Sequence, residues 1–122
     1  MKQILIIDDN ESFLAALQEM LSQKKDITVL TATNGEEGLR VAEERKPNLI
    51  ACDIMMPKIN GIEFLRQLKL NPEFARVPVV MMTVLESMHM IEEAIKLGCV
   101  GYLEKHRLDL KDLTEKLLNF LQ

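Results

Sequence analysis

The sequence predicts an α/β fold in which five parallel strands form one open, doubly wound sheet covered by helices. Three observations favour this architecture. Five short apolar runs alternate with longer stretches whose apolar residues recur at helical spacing. The short runs have no polar face, as expected for strands that are covered on both sides. Five strands are too few for an eight-stranded barrel, so an open sheet remains.

The predicted strands are four or five residues long and mostly apolar throughout. They lie at Ile4–Ile7, Thr28–Ala32, Leu49–Cys52, Val79–Met82 and Val100–Leu103. Prolines stand just ahead of the third and fourth runs, at positions typical of strand boundaries. The spacing between the runs leaves room for one helix in each connection.

Helices are predicted between the strands and after the last one. The first and last helices carry apolar stripes, which we interpret as core-facing surfaces rather than as a cofactor site. These stripes contain Phe13, Leu14, Leu17, Met20 and Leu21, and then Leu110, Leu113, Leu117, Leu118 and Leu121. Other helices are predicted near residues 35–45, 62–70 and 87–97, the first of them capped by Asn34. Gly38 should cost that helix up to about 1 kcal/mol relative to alanine, and no local pattern explains it.

Length and composition predict a single domain over residues 1–122. The chain is 48% hydrophobic and 28% charged, which supports a core without a disulfide or structural metal. Cys52 and Cys99 lie in apolar stretches, so we interpret both as buried thiols in a reducing compartment. The apolar run at the start is too short for a signal peptide or a membrane span, which predicts a cytoplasmic location. A net charge of −4 without a basic cluster argues against direct binding to nucleic acid.

Polar residues follow four of the predicted strands, all at the carboxyl end. They are Asp8 and Asp9, Asp53, Thr83, and Lys105. Ligands of open α/β sheets bind beyond these ends, where the strand order reverses; for the order 2-1-3-4-5 that point lies between strands one and three. Any one of these residues could simply end a strand, and Asp9 or Asn10 could simply cap the first helix. The convergence of all five on one edge predicts a functional site.

The three aspartates predict a site for a cation. Neighbouring strands lie about 4.8 Å apart, so Asp8, Asp9 and Asp53 would crowd three negative charges together. Crowded carboxylates either have a raised pKa or bind a hard cation, and an oxygen-rich site with few protein ligands favours Mg²⁺. The ammonium of Lys105 and the hydroxyl of Thr83 suit the negative oxygens of a phosphoryl group. The sequence therefore predicts a phosphoryl-binding site with Mg²⁺ as cofactor.

Four segments resemble the receiver domain of two-component response regulators. They are IIDDN with its acidic pair, DIMMPKING, VVMMTV and GYLEKH. The resemblance covers essentially the whole chain. Within the family, the chain is similar to the single-domain, chemotaxis-type regulators. It implies a flavodoxin-like (βα)5 fold with strand order 2-1-3-4-5.

The resemblance also implies a role for each acidic residue. Asp53 would be the nucleophile that accepts a phosphoryl group from a phosphohistidine donor, either a sensor histidine kinase or a phosphotransfer protein. Asp9 would coordinate Mg²⁺ directly, Asp8 directly or through water, and the backbone carbonyl of Met55 would supply another oxygen. The domain would thus catalyse only its own phosphorylation and dephosphorylation, so it is not expected to be an enzyme acting on other substrates.

A two-state switch is the output that the resemblance implies. Thr83 would bond one phosphoryl oxygen, Lys105 would pair with another, and Tyr102 would change rotamer. This change would alter a face built from the fourth helix, the fifth strand and the fifth helix, which would bind a downstream protein. Candidate residues for that face are Met88, Met90 and Leu108, although each is equally compatible with ordinary packing.

Two positions depart from the family pattern. His106 follows Lys105 where the family usually has a proline after a cis peptide bond. A cis bond before histidine would cost about 2.5–4 kcal/mol, so we predict a trans bond, or a strained cis one, at 105–106. A trans bond would shift Lys105 slightly and slow phosphorylation.

Val84 follows Thr83 where the family usually has a small residue, and should narrow access to the site. His89 and His106 are interpreted as solvent-exposed, without metal-binding partners.

Three alternatives remain open at this point. An enzyme that hydrolyses phosphate esters through an aspartate nucleophile would need a second acid or base nearby, as in an Asp-x-Asp arrangement, which Asp53-Ile54-Met55 lacks. A receiver-like interaction module that never turns over phosphate is compatible with the His106 and Val84 departures. The chain could also be a piece cut from a longer regulator.

Overall fold

Strands and helices alternate along the described chain, which in this computed structural model comprises residues 1–84 and 87–121. The strands are β1 (Lys2–Ile7), β2 (Ile27–Ala32), β3 (Leu49–Asp53), β4 (Val79–Thr83) and β5 (Gly101–Glu104). The helices are α1 (Glu11–Ser22), α2 (Gly35–Arg45), α3 (Gly61–Leu70), α4 (Met88–Lys96) and α5 (Leu110–Phe120). A short 3-10 helix at Pro72–Phe74, which the sequence patterns did not predict, follows α3. No helix in the described ranges is both long and apolar enough to cross a membrane.

All strand pairs are parallel, and the sheet order is β2-β1-β3-β4-β5. The predicted open, doubly wound sheet is therefore confirmed. The chain passes from β1 outward to β2 and then returns across β1 to β3, so the direction of winding reverses between β1 and β3. The register pairs Ile7 with Cys52 at the carboxyl ends of these two strands. A ligand-binding crevice is expected at such a reversal, directly beyond this pair.

Each face of the sheet has its own hydrophobic core. On one face, α2, α3 and α4 pack against strand residues such as Leu5 and Ile7. On the other face, α1 and α5 pack against the alternate residues, including Ile4 and Ile6. This alternation follows from the two-residue period of a strand, and it explains why the central strands have no polar face.

The edge strands correct one expectation. β2 and β5 are only partly buried, whereas β3 and β4 are buried throughout. The prediction that every strand is covered on both faces is wrong for these two, because an edge strand has a single neighbour and lies at the margin of the covering helices. β5 also begins at Gly101 rather than at Val100, which is 51% exposed.

Other predicted boundaries move by one or two residues. β1 begins at Lys2 and β2 at Ile27, while β3 and β4 extend through Asp53 and Thr83, so these two polar side chains are the last residues of their strands. Helix α3 begins one residue early, and α4 is shorter by one residue at each end than predicted. Of the two cysteines only Cys52 is fully buried; Cys99 is partly exposed because it lies in the loop between α4 and β5.

Gly38 has a structural explanation that the sequence did not offer. A Cβ at this position would lie 2.5 Å from Cδ1 of Ile7 and 3.2 Å from the ring of Phe64. A side chain at this position would therefore have to displace the tip of the Ile7 side chain or the ring of Phe64. This close approach explains why a glycine stands in the middle of the helix.

Candidate functional site

The five polar residues predicted to converge do so at the carboxyl edge of the sheet. Asp8 and Asp9 follow β1, Asp53 ends β3, Thr83 ends β4 and Lys105 follows β5. Backbone hydrogen bonds continue the strand ladder into this region: Asp8 N–H donates to Ala32 O at 3.0 Å, and Lys105 N–H donates to Thr83 O at 2.9 Å. The sheet itself therefore holds the backbone at the site.

The three aspartates form a compact acidic cluster. Oxygen atoms of Asp8, Asp9 and Asp53 lie within 4.8 Å of one another. Asp8 is fully buried and Asp53 is 6% exposed, whereas Asp9 is exposed, so the cluster opens to solvent on the Asp9 side. Three carboxylates at this spacing, with an open side for water, match the requirements of a hard divalent cation such as Mg²⁺.

Asn10, not Asp9, caps the first helix. The side chain of Asn10 accepts a hydrogen bond from the N–H of Phe13 at 3.1 Å, and its own N–H donates to Asp8 Oδ1 at 2.9 Å. The capping role that was the simpler explanation of this segment therefore belongs to Asn10. The Asp9 carboxylate has no capping bond among the described residues and belongs to the acidic cluster instead.

Lys105 is the cation of the cluster. Its Nζ lies 2.6 Å from Asp8 Oδ2 and 3.6 Å from Asp53 Oδ2, with only 12% of its side chain exposed. The peptide bond between Lys105 and His106 is trans, as predicted, since residues 105 and 106 are described and no cis bond occurs among the described residues. The lysine reaches the acidic pocket with this trans bond. His106 and His89 are exposed, as expected.

The carboxyl group of Asp53 has a raised pKa. Burial raises the pKa of Asp53 to about 6, and the negative charges of Asp8 and Asp9 act in the same direction. The ammonium of Lys105 and a hydrogen bond from the backbone N–H of Met55 lower the pKa but do not offset the burial. A cation bound in the cluster would favour the ionised form of Asp53.

This raised pKa predicts how the free energy of unfolding depends on pH. A folded-state pKa of about 6 exceeds the unfolded value of about 3.9, so the native state binds the proton more tightly and wild type loses stability as pH rises through this window. Asp53→Asn should therefore be more stable than wild type by about 2 kcal/mol at pH 7 without divalent cations. Urea denaturation at several pH values should show this difference vanish near pH 4; a difference independent of pH would contradict the prediction.

Thr83 and Tyr102, the two predicted switch residues, occupy different environments. Thr83 is fully buried at the end of β4, beside Val84, which is 56% exposed. Tyr102 lies in β5 and pairs with Met81 of β4, and 39% of its surface is exposed to solvent. Residues 85 and 86 lie outside the described residues. The predicted rotamer change of Tyr102 remains a prediction.

Gly61 and Phe13 belong to the site although the sequence did not assign them to it. A Cβ on Gly61 would lie 2.2 Å from the carbonyl oxygen of Asp53, so the loop before α3 folds tightly against the end of β3. The ring of Phe13 lies beneath the Lys105 ammonium, 4.3 Å from ring centroid to Nζ. Phe13 had been assigned to an apolar helix stripe, and nothing in its sequence context signals the contact.

Comparison with known proteins places this geometry in a family. The response regulator receiver domain matches residues 4–118. The alkaline phosphatase synthesis transcriptional regulatory protein PhoP of Bacillus subtilis (strain 168) is 38% identical over 104 residues, which cover 85% of this chain and 42% of PhoP. The chain spans about half the length of several curated relatives that it matches.

Solved structures agree with the sequence comparison. A CheY-like response regulator receiver domain protein from Methanospirillum hungatei JF-1 superimposes with a TM-score of 0.88 at 30% identity, covering 99% of this chain and 94% of that one. The Mn²⁺-bound form of the response regulator Rcp1 gives a TM-score of 0.83 at 29% identity, with coverages of 98% and 91%. With a match over residues 4–118, the chain belongs to the receiver domain family of two-component response regulators.

Proposed function

We propose that this receiver domain accepts a phosphoryl group on Asp53 from a phosphohistidine protein, with Mg²⁺ as cofactor. The observation that carries the proposal is the pocket itself, in which three carboxylates lie within 4.8 Å of one another and the Lys105 ammonium lies 3.6 Å from Asp53. The Asp53 carboxylate and the phosphoryl group are both anionic, so their approach requires nearby positive charges such as Mg²⁺ and the Lys105 ammonium.

Asp53 is the best nucleophile of the three aspartates. Asp8 is fully buried and already paired with Lys105 at 2.6 Å, and Asp9 is the most exposed. The exposure of Asp53 lies between those of Asp8 and Asp9. Its carboxylate accepts a hydrogen bond from the backbone N–H of Met55, which orients it. In the transfer, a carboxylate oxygen of Asp53 would bond to phosphorus while the P–N bond of the donor breaks, and the imidazole would keep the electron pair and take up a proton.

Asp8, Asp9, Asp53 and the carbonyl of Met55 would hold Mg²⁺. When bound, the ion supplies positive charge that offsets the repulsion between the carboxylate and the phosphoryl oxygens. The Mn²⁺-bound form of the related regulator Rcp1 supports a divalent cation for this family fold. Lys105 would pair with one phosphoryl oxygen, and the hydroxyl of Thr83 would donate to another.

The output surface is proposed to be the face formed by α4, β5 and α5. Large apolar side chains are exposed in and around α4 and β5: Met88, Ile95, Val100 and Tyr102. Met90 and Leu108, also candidates for this face, are partly buried and pack against the two cores. A downstream protein would bind the exposed residues, and the upstream partner would be a sensor histidine kinase or a phosphotransfer protein. We propose a cytoplasmic location and no direct contact with nucleic acid or membrane.

The decisive test is the mass of the intact protein after incubation with acetyl phosphate, with and without Mg²⁺. Wild type should gain one phosphoryl group only with Mg²⁺, whereas Asp53→Asn should gain none. Asp112→Asn, on the exposed side of α5, is the matched control and should behave as wild type. Phosphorylation of neither wild type nor control would favour an interaction module that does not turn over phosphate, and phosphorylation of Asp53→Asn would place the acceptor elsewhere.

An enzyme that hydrolyses phosphate esters is less well supported. The position two residues after Asp53, where a second acid or base would be needed, is Met55, whose side chain is 51% exposed. The cluster therefore has the parts for self-phosphorylation but lacks a second acid at that place.

Val84 is expected to slow both phosphorylation and dephosphorylation. It is 56% exposed and directly follows Thr83, where its branched side chain would narrow the approach to the proposed phosphoryl site. Val84→Ala should accept phosphate from acetyl phosphate a few-fold faster in Mg²⁺ and should lose it faster. Intact-protein mass measured over time gives both rates, and equal rates in the two proteins would reject this role.

A further inference from the structure

The Lys105 ammonium is held from two sides. On one side lie Asp8 Oδ2 at 2.6 Å and Asp53 Oδ2 at 3.6 Å, and on the other lies the ring of Phe13, with its centroid 4.3 Å from Nζ. At this distance the negative face of an aromatic ring attracts a cation, more strongly when the cation has lost most of its water. Only 12% of the Lys105 side chain is exposed.

The carboxylate contacts and the aromatic contact of Lys105 should respond differently to a divalent cation in the acidic cluster. Asp8 is the nearest partner of Lys105 and also one of the proposed metal ligands. A cation that shares Asp8 would weaken the attraction of this carboxylate for Lys105 and would itself repel the ammonium. The attraction of the Phe13 ring does not depend on Asp8, so it would persist with a metal bound.

Phe13 is well placed to act as a fixed support. It lies in the first turn of α1, four residues beyond Asp9, and its N–H donates to the capping side chain of Asn10 at 3.1 Å. Its ring is partly buried and packs against the core formed by α1 and α5. A lysine side chain has four flexible carbons, so such a support restricts where its ammonium can go.

We propose that Phe13 is a positioning residue that keeps the Lys105 ammonium at the phosphoryl site when Asp8 is engaged by a divalent cation. The proposal rests on the proposed function, because Lys105 matters there as the partner of a phosphoryl oxygen. Phe13 acts through Lys105 and contacts no reacting atom itself.

Substitutions of Phe13 can distinguish the effect of its aromatic ring from the effect of its side-chain volume. Phe13→Leu keeps an apolar side chain but removes the aromatic face, and should lower the maximal rate of phosphorylation by acetyl phosphate in saturating Mg²⁺ by roughly 5- to 30-fold, the factor that corresponds to a largely desolvated cation–π contact. Phe13→Tyr should restore the rate that leucine loses. Affinity for Mg²⁺, measured by calorimetry, should be unchanged or slightly tighter in Phe13→Leu, whereas a general distortion of the acidic cluster would weaken it.

Phe120→Leu is the matched control for lost aromatic packing. Phe120 packs against the same core, but its ring lies against Gly101, at the opposite end of β5 from Lys105. This control should lose a similar amount of packing and keep the wild-type rate.

A second readout is independent of phosphorylation. Protons of the Lys105 side chain near the Phe13 ring should show upfield ring-current shifts in NMR spectra of wild type, and these shifts should persist after Mg²⁺ is added. They should also appear in Phe13→Tyr and be absent from Phe13→Leu. Wild-type spectra alone still test the proposal if Phe13→Leu does not fold.

The outcomes distinguish failure of the proposed function from failure of the role of Phe13. A wild-type protein that takes no phosphoryl group removes the proposed function and with it the need for a positioned lysine. A wild-type protein that is phosphorylated, together with an equal maximal rate in Phe13→Leu or loss of the ring-current shifts on addition of Mg²⁺, overturns the role of Phe13 alone.

Discussion

Lys105→Met should lower the free energy of unfolding of the metal-free protein by about 2–4 kcal/mol at pH 7. Asp8 is fully buried, and its nearest cation is Lys105 at 2.6 Å. Methionine keeps much of the apolar stem of lysine. It leaves the carboxylates of Asp8 and Asp53 near each other without the positive partner that contacts both. Removing one member of a buried ion pair is strongly destabilising because the remaining charge stays buried.

The same variant should respond more strongly than wild type to both acid and Mg²⁺. Protonation of an unpaired carboxyl group relieves the repulsion, so the loss of stability should shrink between pH 7 and pH 5. Mg²⁺ replaces the missing charge and should raise the melting temperature of Lys105→Met more than that of wild type. Lys116→Met, an exposed position on α5, is the control. Equal stability of Lys105→Met and wild type without metal would show that Lys105 does not neutralise the cluster.

Gly61→Ala should destabilise the protein by about 2–4 kcal/mol. The added Cβ would lie 2.2 Å from the carbonyl oxygen of Asp53 and 2.8 Å from the Cα of Ile54. Both contacts are to backbone, so no change of rotamer relieves them, and the loop between β3 and α3 must move. Helix propensity alone would favour alanine by up to about 1 kcal/mol, so the sign of the measured change identifies the steric contact.

Gly98→Ala is the matched control for this substitution. Gly98 has a φ of +101°, which is unfavourable for alanine, but the nearest atom to its Cβ is 3.9 Å away, at the end of the Lys69 side chain. Urea denaturation should give a smaller loss, about 1–2 kcal/mol, and phosphorylation should be unaffected. Gly61→Ala should also be phosphorylated more slowly, because movement of the loop displaces the end of β3. A stable Gly61→Ala with the wild-type rate would contradict the close approach.

Most of the fold was predictable because hydrophobic periodicity is a local property of the sequence. The alternation of short apolar runs and amphipathic stretches located all five strands and all five α-helices of the described chain. Errors occurred where periodicity is weakest, at boundaries and at the edge strands β2 and β5. There, a run of apolar residues does not reveal that one side of the strand has no neighbour.

The location of the site was predictable for a different reason. Parallel strands bring their carboxyl ends to one edge whatever the details of packing, so polar residues at the ends of four strands had to meet. Asp8, Asp9, Asp53, Thr83 and Lys105 all lie at that edge. The chemistry of these side chains predicted a cation and a phosphoryl group at this edge, the family resemblance supplied the role proposed for each residue, and the substitutions above test those roles.

The sequence alone thus determined which residues gather at the carboxyl edge of the sheet, and it specified the order of elements that brings them there. Tertiary packing decided the contacts across elements that are distant in the chain. The approach of Gly38 to Ile7, the ring of Phe13 beside Lys105 and the folding of Gly61 onto Asp53 each depend on atomic distances between separate elements. A one-dimensional pattern carries the period of burial but not these distances, because they are set by how two surfaces fit together.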